Sequence, residues 1–424
     1  MKAIILAAGR GLRLRPITET RPKALIPILC KPLLQWQLGA LERSSNKVDE
    51  VIIVVNYLGE RIKEFVDRYS TNLRISIVKQ EEEKGTGDAV IKAVEDLDYD
   101  EEVLIMYGDV FLRDWRSIDK IIAMDGNVIA VTRVKNPENY GVVVADKGLF
   151  RGIIEKPKKP VTSTVNAGIY KLRVGDILEH RNVPISPRGE IEFTDIVNEI
   201  GKKTRISVFD LGERSWIDIG FPWNIIEANK LALSELRHSI NGVVESWVTI
   251  KKPVYIGENS LVRSGSYIEG PVYIDDNVEI GPSARIRPYT VICKYARIGF
   301  SVEVKESVLM EHVHASHLAY IGDSVICEYV NIGAGTMIAN LRFDNKPVKV
   351  SIKGAKISSE RRKFGTVIGG YAKTGVNVSI MPGVKIGSYA WIAPGAVVYR
   401  DVPPGKFYKV EKVEYILEDI HRYI

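Results

Sequence analysis

The chain has 424 residues, of which 45% are hydrophobic and 26% are charged, and its formal net charge is +6. This composition is ordinary for a folded protein of two or three domains and excludes an intrinsically disordered chain. No apolar run reaches the roughly 18 residues that span a bilayer, and the charge excess is too small to indicate nucleic-acid binding by itself. We therefore expect neither a membrane nor a nucleic-acid partner, while small anionic substrates are compatible with the charge.

The N-terminus reads MKAIILAAGRG. Glycine and arginine follow its short apolar run at once, which favours a buried first strand over a signal peptide. The three cysteines, Cys30, Cys293 and Cys327, lack the spacing of a metal site. Together these features predict a cytoplasmic protein.

The N-terminal half alternates strand-like runs with a helical pattern. The strand-like runs are KAIILAA, VDEVIIVVN, LRISIVK, EVLIMYGD and NVIAVTRV, and PLLQWQLGALERS has helical spacing. This alternation predicts a Rossmann-like α/β domain over residues 1–222, with ligands at the carboxyl ends of a mostly parallel sheet. A helical segment over 223–242 then links it to the next domain.

The second half has a period of six. The aliphatic positions are Val244, Ile250, Ile256, Val262, Ile268, Ile274, Ile280, Ile286, Ile292, Ile298, Val304 and Met310. The period is lost through residues 311–325 and returns at Ile326. A short fixed period predicts a solenoid, and six is typical of a left-handed parallel β-helix, here over 243–402. The tail over 403–424 contains KVEYILEDIHRYI, which predicts a short C-terminal helix with one apolar face.

A glycine-rich turn follows the first strand in LAAGRGLRLRPITETRPKALIPI. Gly9 and Gly11 allow the backbone to approach a phosphate, and Arg13 and Lys23 supply positive charge. A plain tight turn would explain the glycines alone. Two aspartates at strand ends, Asp109 in YGDVF and Asp218 in WIDIG, offer oxygen ligands for Mg²⁺. Each aspartate alone would be interpreted as a cap or a turn.

The joint presence of LAAGxGxRLxP and RPKALIP resembles the signature of the sugar-1-phosphate nucleotidylyltransferases. The resemblance implies that Arg13 and Lys23 hold pyrophosphate, that Lys156 holds the α-phosphate, and that Asp109 and Asp218 bind Mg²⁺. It also implies a set of residues that bind the nucleotide, namely Gly9, Gly11, Gln80, Gly85 and Thr86. A second set would bind the sugar phosphate, namely Gly141, Glu155 and Asn166. Leu12 departs from the threonine that is usual in this family.

The segments SVEVKESVLMEHVHASHLAYIGDS and VNIGAGTMIANLRFDNK resemble the acetyltransferase site of the bifunctional enzymes that make UDP-N-acetylglucosamine. The resemblance implies that His317 is a general base, a role that suits an imidazole near neutral pH. It implies amino-sugar phosphate binding by Arg287, Lys305, Tyr320, Asn331, Asn340 and Lys346. Acetyl-CoA would be bound by Ala334, Gly370 and Ala393. A homotrimer is implied as well, with Lys346 serving the site of a neighbouring chain.

The histidines allow other interpretations. His312, His314 and His317 could form an HxHxxH zinc site, although no fourth ligand has an obvious spacing. We expect a solvent-facing turn for His312 and His314, and a hydrogen-bonded seam would be the plain alternative for His317. The basic segment over 341–366 is either a solvated loop or a lid over an anionic substrate.

The sequence thus predicts a bifunctional enzyme. One reaction is acetyl-CoA-dependent N-acetylation of glucosamine-1-phosphate or galactosamine-1-phosphate. The other is Mg²⁺-dependent transfer of UMP or dTMP from UTP or dTTP to N-acetylglucosamine-1-phosphate or glucose-1-phosphate. Two alternatives remain: a nucleotidylyltransferase for glucose-1-phosphate or mannose-1-phosphate with a structural solenoid, and a non-catalytic assembly protein resembling exchange-factor subunits. CoA release would exclude the first, and pyrophosphate release would exclude the second.

Overall fold

Two units make up the computed structural model, which describes residues 1–45 and 48–410. The first unit is Met1–Leu236, and the second begins at Arg237. The predicted C-terminal helix lies outside the described residues. None of the described helices is long and apolar enough to cross a membrane.

The first unit contains a nine-stranded sheet of order β5-β4-β1-β6-β11-β8-β12-β10-β9. The strands of the unit are β1 (Lys2–Ala7), β2 (Pro27–Ile28), β3 (Lys31–Pro32), β4 (Glu50–Val55), β5 (Arg74–Lys79), β6 (Glu102–Tyr107), β7 (Val110–Leu112), β8 (Asn127–Arg133), β9 (Gly141–Asp146), β10 (Leu149–Glu155), β11 (Thr164–Arg173), β12 (Ile206–Asp210) and β13 (Trp216–Asp218). The helices are α1 (Leu33–Glu42), α2 (Gly59–Arg68), α3 (Thr86–Val94), α4 (Ser117–Ala123), α5 (Val174–Glu179), α6 (Phe193–Lys203) and α7 (Pro222–Leu233).

Half of this sheet is parallel. β1 lies between β4 and β6 and is parallel to both, and Ile4 and Ile5 are fully buried. Continuous apolar strands are expected where a sheet is covered on both faces. The other half is mixed, because β11 runs antiparallel to β6, β8 and β9. All five predicted strands are present, and the carboxyl ends of β1 and β6 lead directly into the glycine-rich turn and Asp109.

The helical segment that follows is shorter than the predicted one. Helix α7 ends at Leu233 and contacts β2 and β13 of the first unit. Ser239–Ile240 is already a strand, parallel to Val254–Ile256. The last residues of the predicted helical segment therefore belong to the solenoid.

The second unit is a parallel β-helix with three faces. The first face contains the strands Ser239–Ile240, Val254–Ile256, Val272–Ile274, Thr290–Ile292, Val308–Leu309, Val325–Ile326, Val367–Ile368 and Lys385–Ile386. The second contains Val243–Val244, Leu261–Val262, Glu279–Ile280, Arg297–Phe300, His314–His317, Asn331–Ile332, Lys373–Thr374, Trp391–Ile392 and Phe407–Tyr408. The third contains Thr249–Lys251, Tyr267–Glu269, Arg285–Ile286, Glu303–Lys305, Tyr320–Gly322, Met337–Ile338, Ser379–Ile380 and Val397–Val398.

The period of six marks the interior of this solenoid, where aliphatic side chains of successive coils stack in one core. The predicted loss of the period over 311–325 is wrong. Leu309, rather than Met310, pairs with Ile292, and Ala315 and Ile321 continue the inward-facing series. Two links of five residues, from Val304 to Leu309 and from Ile321 to Ile326, shift the phase without interrupting the coil.

Both short links lie at one corner of the prism, where the chain passes from the third face to the first. The only long interruption of the coil in the described residues lies at the same place, where Ile338 is followed by Ile368 as the next inward-facing position. We call this edge the insertion corner; it comprises residues 305–308, 322–325 and 339–367. The insertion carries an antiparallel pair of strands, Lys349–Ile352 and Ala355–Ser358, and buries Val350 and Phe364. It is therefore an ordered substructure and not a plain solvated loop.

The corner between the first and second faces carries a stack of parallel aromatic rings. Neighbouring ring centroids are 4.4–5.0 Å apart, in the order Tyr295, His312, Tyr329, Tyr371 and Tyr389. All five residues have left-handed backbone conformations, so equivalent corner positions of successive coils project their side chains alike. The prediction of a solvent-facing turn for His312 is corrected here, because its ring lies between Tyr295 and Tyr329. His314 is exposed, as predicted, but it lies on a strand and not in a turn.

Candidate active sites

A cavity of about 240 Å³ opens in the first unit at the carboxyl end of β6. Its wall includes eight of the residues that the sequence predicts for the nucleotidylyltransferase site: Arg13, Thr86, Asp109, Gly141, Glu155, Lys156, Asn166 and Asp218. Ligands of α/β proteins commonly bind at this edge of a sheet. The eight residues come from seven separate segments of the chain, and the fold places them around one space.

The two aspartates lie side by side at one end of this cavity. β7 pairs antiparallel with β13, and this register places Asp218 opposite Val110, next to Asp109. Lys23 forms an ion pair with Asp109, and its Nζ lies 3.9 Å from Asp218 Oδ1. Burial and the neighbouring negative charge of Asp109 raise the pKa of Asp218 to about 6. Two crowded carboxylates form a site that favours additional positive charge.

The glycine-rich turn has the geometry that its sequence predicts. Gly11 has φ +59°, and its carbonyl accepts a hydrogen bond of 2.9 Å from Thr18 Oγ1. A Cβ at Gly11 would lie 2.8 Å from Thr18 Cγ2, whereas the space around Gly9 is open. Arg13 follows the turn, with its guanidinium 4.8 Å from the centre of the Phe221 ring. The ring holds the guanidinium at the cavity by a cation–π contact.

Gln80 is buried, and its amide is oriented by the protein. Nε2 donates to the carbonyl oxygen of Gly85 at 3.0 Å and to Asp88 Oδ2 at 2.8 Å. Both amide hydrogens are therefore used, and Oε1 is the part of the side chain left for a base. Gly85 has φ +101°, and a Cβ there would lie 2.5 Å from the carbonyl oxygen of Ile191. Thr86 begins α3, and its Oγ1 accepts a hydrogen bond from Phe193 N.

Another part of the cavity wall has open space beside polar side chains. Gly141 pairs with Glu155 across β9 and β10. A Cβ at Gly141 would lie 3.0 Å from Glu155 Oε2 and 3.8 Å from Asn166 Cβ, so the glycine keeps this space open. Lys156 Nζ is 3.1 Å from Glu155 Oε1. A carboxylate, an amide and an ammonium group thus surround a space without a side chain.

Among the cavity residues that sequence reasoning missed is an ion pair, Arg188 with Glu192. Arg188 Nη2 lies 2.7 Å from Glu192 Oε1 and 3.3 Å from Glu155 Oε1. The surrounding sequence, PISPRGEIEF, has neither helical nor strand periodicity. Its only signal is a cluster of charges beside glycine and proline, which ordinarily indicates an exposed loop.

In the second unit, His317 ends a strand of the second face and is exposed. It lies beside Phe300, with which it is in register, in a groove of about 490 Å³. The groove also contains Arg297 and Glu279, whose side chains are 3.5 Å apart. An exposed imidazole in a polar groove is accessible for proton transfer.

Tyr320, Lys305 and Asn340 form one network on the third face. Asn340 Nδ2 donates to Tyr320 Oη at 3.0 Å and to Asp323 Oδ2 at 2.6 Å. Lys305 Nζ donates to both carboxylate oxygens of Asp323 at 3.0 Å. Burial raises the pKa of Tyr320, so its hydroxyl stays protonated at neutral pH. Arg287 lies on the preceding coil, where its Nη1 is 2.8 Å from Glu303 Oε1.

Five of the predicted acetyltransferase residues do not join this network within the chain. Asn331 lies on the second face, in register with His314 on one side and Lys373 on the other. Gly370 follows a strand of the first face, whereas Ala334 and Ala393 follow strands of the second face. Lys346 is exposed in the insertion. One chain therefore presents the predicted residues on different faces.

The zinc interpretation lacks support from geometry. Among residues 1–45 and 48–410, no group of three histidine, cysteine or acidic side chains is placed to hold a metal ion. His312 lies in the aromatic stack at one corner, while His314 and His317 lie on the strand of the second face.

Comparisons with known proteins found similarity to both units of the chain. The nucleotidyl transferase family model matches residues 2–235, and the model of a GMPPB C-terminal domain matches residues 268–364. A bifunctional sugar-1-phosphate nucleotidylyltransferase/acetyltransferase of Sulfurisphaera tokodaii is 50% identical, covering 97% of this chain and 100% of that protein. The bifunctional protein GlmU of Methanocaldococcus jannaschii is 43% identical, covering 96% of this chain and 97% of that protein. GlmU of Thermotoga petrophila is 29% identical, covering 95% of both chains.

The similarity extends over both units and reaches the full length of these relatives. The chain is therefore a member of the bifunctional sugar-1-phosphate nucleotidylyltransferase/acetyltransferase family.

Proposed function

We propose that the first unit joins a sugar-1-phosphate to the nucleotidyl group of UTP or dTTP and that the second unit N-acetylates an amino-sugar-1-phosphate. The observation that carries the proposal is that one cavity contains both the Asp109–Asp218 pair and the polar side chains of Glu155 and Asn166. Groups suited to a phosphate-bound cation and groups suited to a sugar thus line one space. The proposed sugars are N-acetylglucosamine-1-phosphate and glucose-1-phosphate, and the proposed acetyl acceptors are glucosamine-1-phosphate and galactosamine-1-phosphate.

Asp109 and Asp218 fit Mg²⁺. The cation prefers carboxylate oxygens and a few ligands with retained waters. Burial and the like charge of Asp109 raise the pKa of Asp218, and a divalent cation would relieve this repulsion. When bound, Mg²⁺ would neutralise charge on the phosphates.

The nucleotidyl transfer needs positioning and charge neutralisation rather than a covalent intermediate. An oxygen of the sugar-1-phosphate attacks the α-phosphorus of the nucleotide, and the bond to pyrophosphate breaks. Arg13 and Lys23 are positioned for the departing pyrophosphate, and Lys156 for the reacting phosphate. Glu155 and Asn166 would bind the sugar, while Gln80 Oε1 and the backbone at Gly85 and Thr86 would bind the base.

For acetyl transfer, His317 is the proposed base. It would take a proton from the amino group as that group attacks the thioester carbonyl of acetyl-CoA, and CoA would leave. Lys305 and Arg287 would bind the sugar phosphate, with Tyr320, Asn331 and Asn340 at the sugar and the tetrahedral centre. Lys346, Ala334, Gly370 and Ala393 lie at corners or in the insertion, where a neighbouring chain could share them.

The division of these residues between faces supports a homotrimer. A residue on the second face and a residue on the third face point away from each other in one prism. Two chains that pack face against face would bring them to the same space. Symmetric homo-oligomers are the usual form of such shared sites.

The two reactions can be tested separately on the full chain. Pyrophosphate release is measured with UTP and dTTP against a panel of sugar-1-phosphates in the presence of Mg²⁺. CoA release is measured with acetyl-CoA and glucosamine-1-phosphate or galactosamine-1-phosphate. We expect both products. Absence of CoA release with every amino-sugar phosphate would refute the acetyltransferase, and absence of pyrophosphate release would refute the nucleotidylyltransferase.

A further inference from the structure

The insertion corner holds a network of four charged side chains that includes a residue without an assigned role. Lys305 lies within ion-pair distance of Asp323 and Glu306. Arg361, from the end of the insertion, pairs through Nη2 with the same two carboxylates. All four side chains are at most 16% exposed, and Asp323 is only 1% exposed. Two cations therefore share two nearly buried anions.

The short links of the solenoid create this network. Glu306 and Asp323 occupy the same place in the two five-residue links of successive coils, and both have left-handed backbone conformations. Their carboxylates therefore lie one above the other at the insertion corner. Arg361 is held in place by its backbone, since its carbonyl accepts a hydrogen bond of 2.9 Å from Val348 N. Its Nε also donates to the carbonyl oxygen of Lys363 at 3.2 Å.

The charge balance bears directly on Lys305. Its ammonium group is bound by both oxygens of Asp323, yet the proposed function requires it to bind a sugar phosphate. With Arg361 present, the charges of the four groups sum to zero. Without Arg361, Lys305 would be the single cation among these four groups facing two nearly buried carboxylates. It would then be held more tightly, and an incoming phosphate would meet a net negative corner.

We propose that Arg361 is a positioning residue for the acetyl-transfer site, which neutralises Glu306 and Asp323 and so leaves Lys305 available to the phosphate of the amino sugar. This inference rests on the proposed acetyltransferase function. Arg361 acts through these carboxylates, because its Nη2 pairs with them and its Nε donates inside the protein. Its effect is on substrate affinity and not on proton transfer.

The test compares steady-state CoA release by the wild type, Arg361→Gln and Arg361→Lys. We expect Arg361→Gln to raise the KM for glucosamine-1-phosphate about ten-fold, as suits one unbalanced charge near the site, with kcat changed less than about three-fold. Arg361→Lys keeps the charge and is expected to stay within about three-fold of the wild-type KM. The adjacent Arg362→Gln is the matched control, because Arg362 is bonded to the exposed Asn345 and not to the network.

A double variant separates charge balance from a structural role. Glu306→Gln in the Arg361→Gln background removes one anion, so we expect the KM to return to within about three-fold of wild type. Equal KM values for wild type and Arg361→Gln, or no recovery in the double variant, would overturn the inference. A loss of kcat as large as the rise in KM would also overturn it. If the wild type releases no CoA, the proposed acetyltransferase function fails and this inference fails with it. Pyrophosphate release by each preparation reports that the first unit is folded.

Discussion

The two units position the polar residues of their candidate sites in different ways. In the first unit, residues from seven segments of one chain converge on a concave cavity at the edge of a sheet. In the second, the candidate residues project outward from a convex prism, so that those on different faces cannot converge within a chain. A sheet with loops at its strand ends can enclose a ligand by itself, whereas a solenoid offers flat faces that enclose a ligand only against another surface.

The largest expected effect comes from a change in the acidic pair, Asp109 and Asp218, of the cavity in the first unit. We expect Asp218→Asn to lower the rate of pyrophosphate release at least about 1,000-fold, because a neutral amide can neither share a cation nor balance Lys23. CoA release should stay within about two-fold. The exposed Asp210→Asn is the control, since Asp210 pairs only at the surface with Arg133. An equal loss of both activities would show that the two sites are not independent.

The reciprocal variant changes His317 on the second face of the solenoid. His317→Ala is expected to lower CoA release about 100- to 1,000-fold, the usual effect of removing a general base. Pyrophosphate release should not change. His314→Ala is the matched control, because this histidine is exposed on the same strand. If His314→Ala has the larger effect, the base has been assigned to the wrong histidine.

The third prediction tests whether two neighbouring chains share one acetyltransferase site. Asn331→Ala and Asn340→Ala alter different faces, and we expect each homogeneous protein to lose most CoA release. Co-expression of the two variants should restore about a quarter of the wild-type rate, since random symmetric mixing leaves one site in four intact. Failure of the mixture to recover would mean that both amides serve the same chain.

The smallest effect is a difference in pH response that is confined to the solenoid. Burial raises the pKa of Asp275 to about 6, partly offset by Lys294 and by the Asp276 and Lys294 backbone amides. The unfolded carboxyl ionises near 3.9, so this residue lowers stability progressively as pH rises from about 4 to about 6. Asp275→Asn removes that loss. In calorimetric scans, its Tm relative to wild type should rise by about 2–4 °C between pH 4 and pH 7. A gap that is independent of pH would contradict the assignment.

The sequence predicts the regular parts of both units because regular structure leaves a periodic trace. The five apolar runs became strands, and the period of six became the stacked interior of three faces. The inward-facing residue could not be predicted where the spacing between coil positions drops from six residues to five. A spacing of six from Val304 leads to Met310, but the strand register places Leu309 inside. A one-residue deletion changes which aliphatic side chain faces inward without changing composition.

Sequence motifs predicted which residues form the candidate sites. They did not predict the contacts of those residues where the contacts depend on backbone geometry. The sequence indicates an amide at Gln80 but not that its two hydrogens are already used by Gly85 and Asp88. The sequence shows that His312 is polar, but it does not show that the ring stacks between Tyr295 and Tyr329. This stacking arises because corner residues with left-handed backbone conformation lie in register on successive coils. Arg188 lies in an aperiodic segment, and its contact with Glu155 depends on how that segment folds back.

The aromatic stack passes the insertion without a break: the rings of Tyr329 and Tyr371, far apart in sequence, are 5.0 Å apart and inclined by 7°. The insertion leaves the solenoid at the insertion corner and returns to it there. The coil that contains Tyr329 therefore packs directly against the coil that contains Tyr371. This corner is consequently a graft point. We expect that segments of other lengths and charges, joined between Ile338 and Ile368, leave the coils in register, because the strands on either side of the insertion already pair directly.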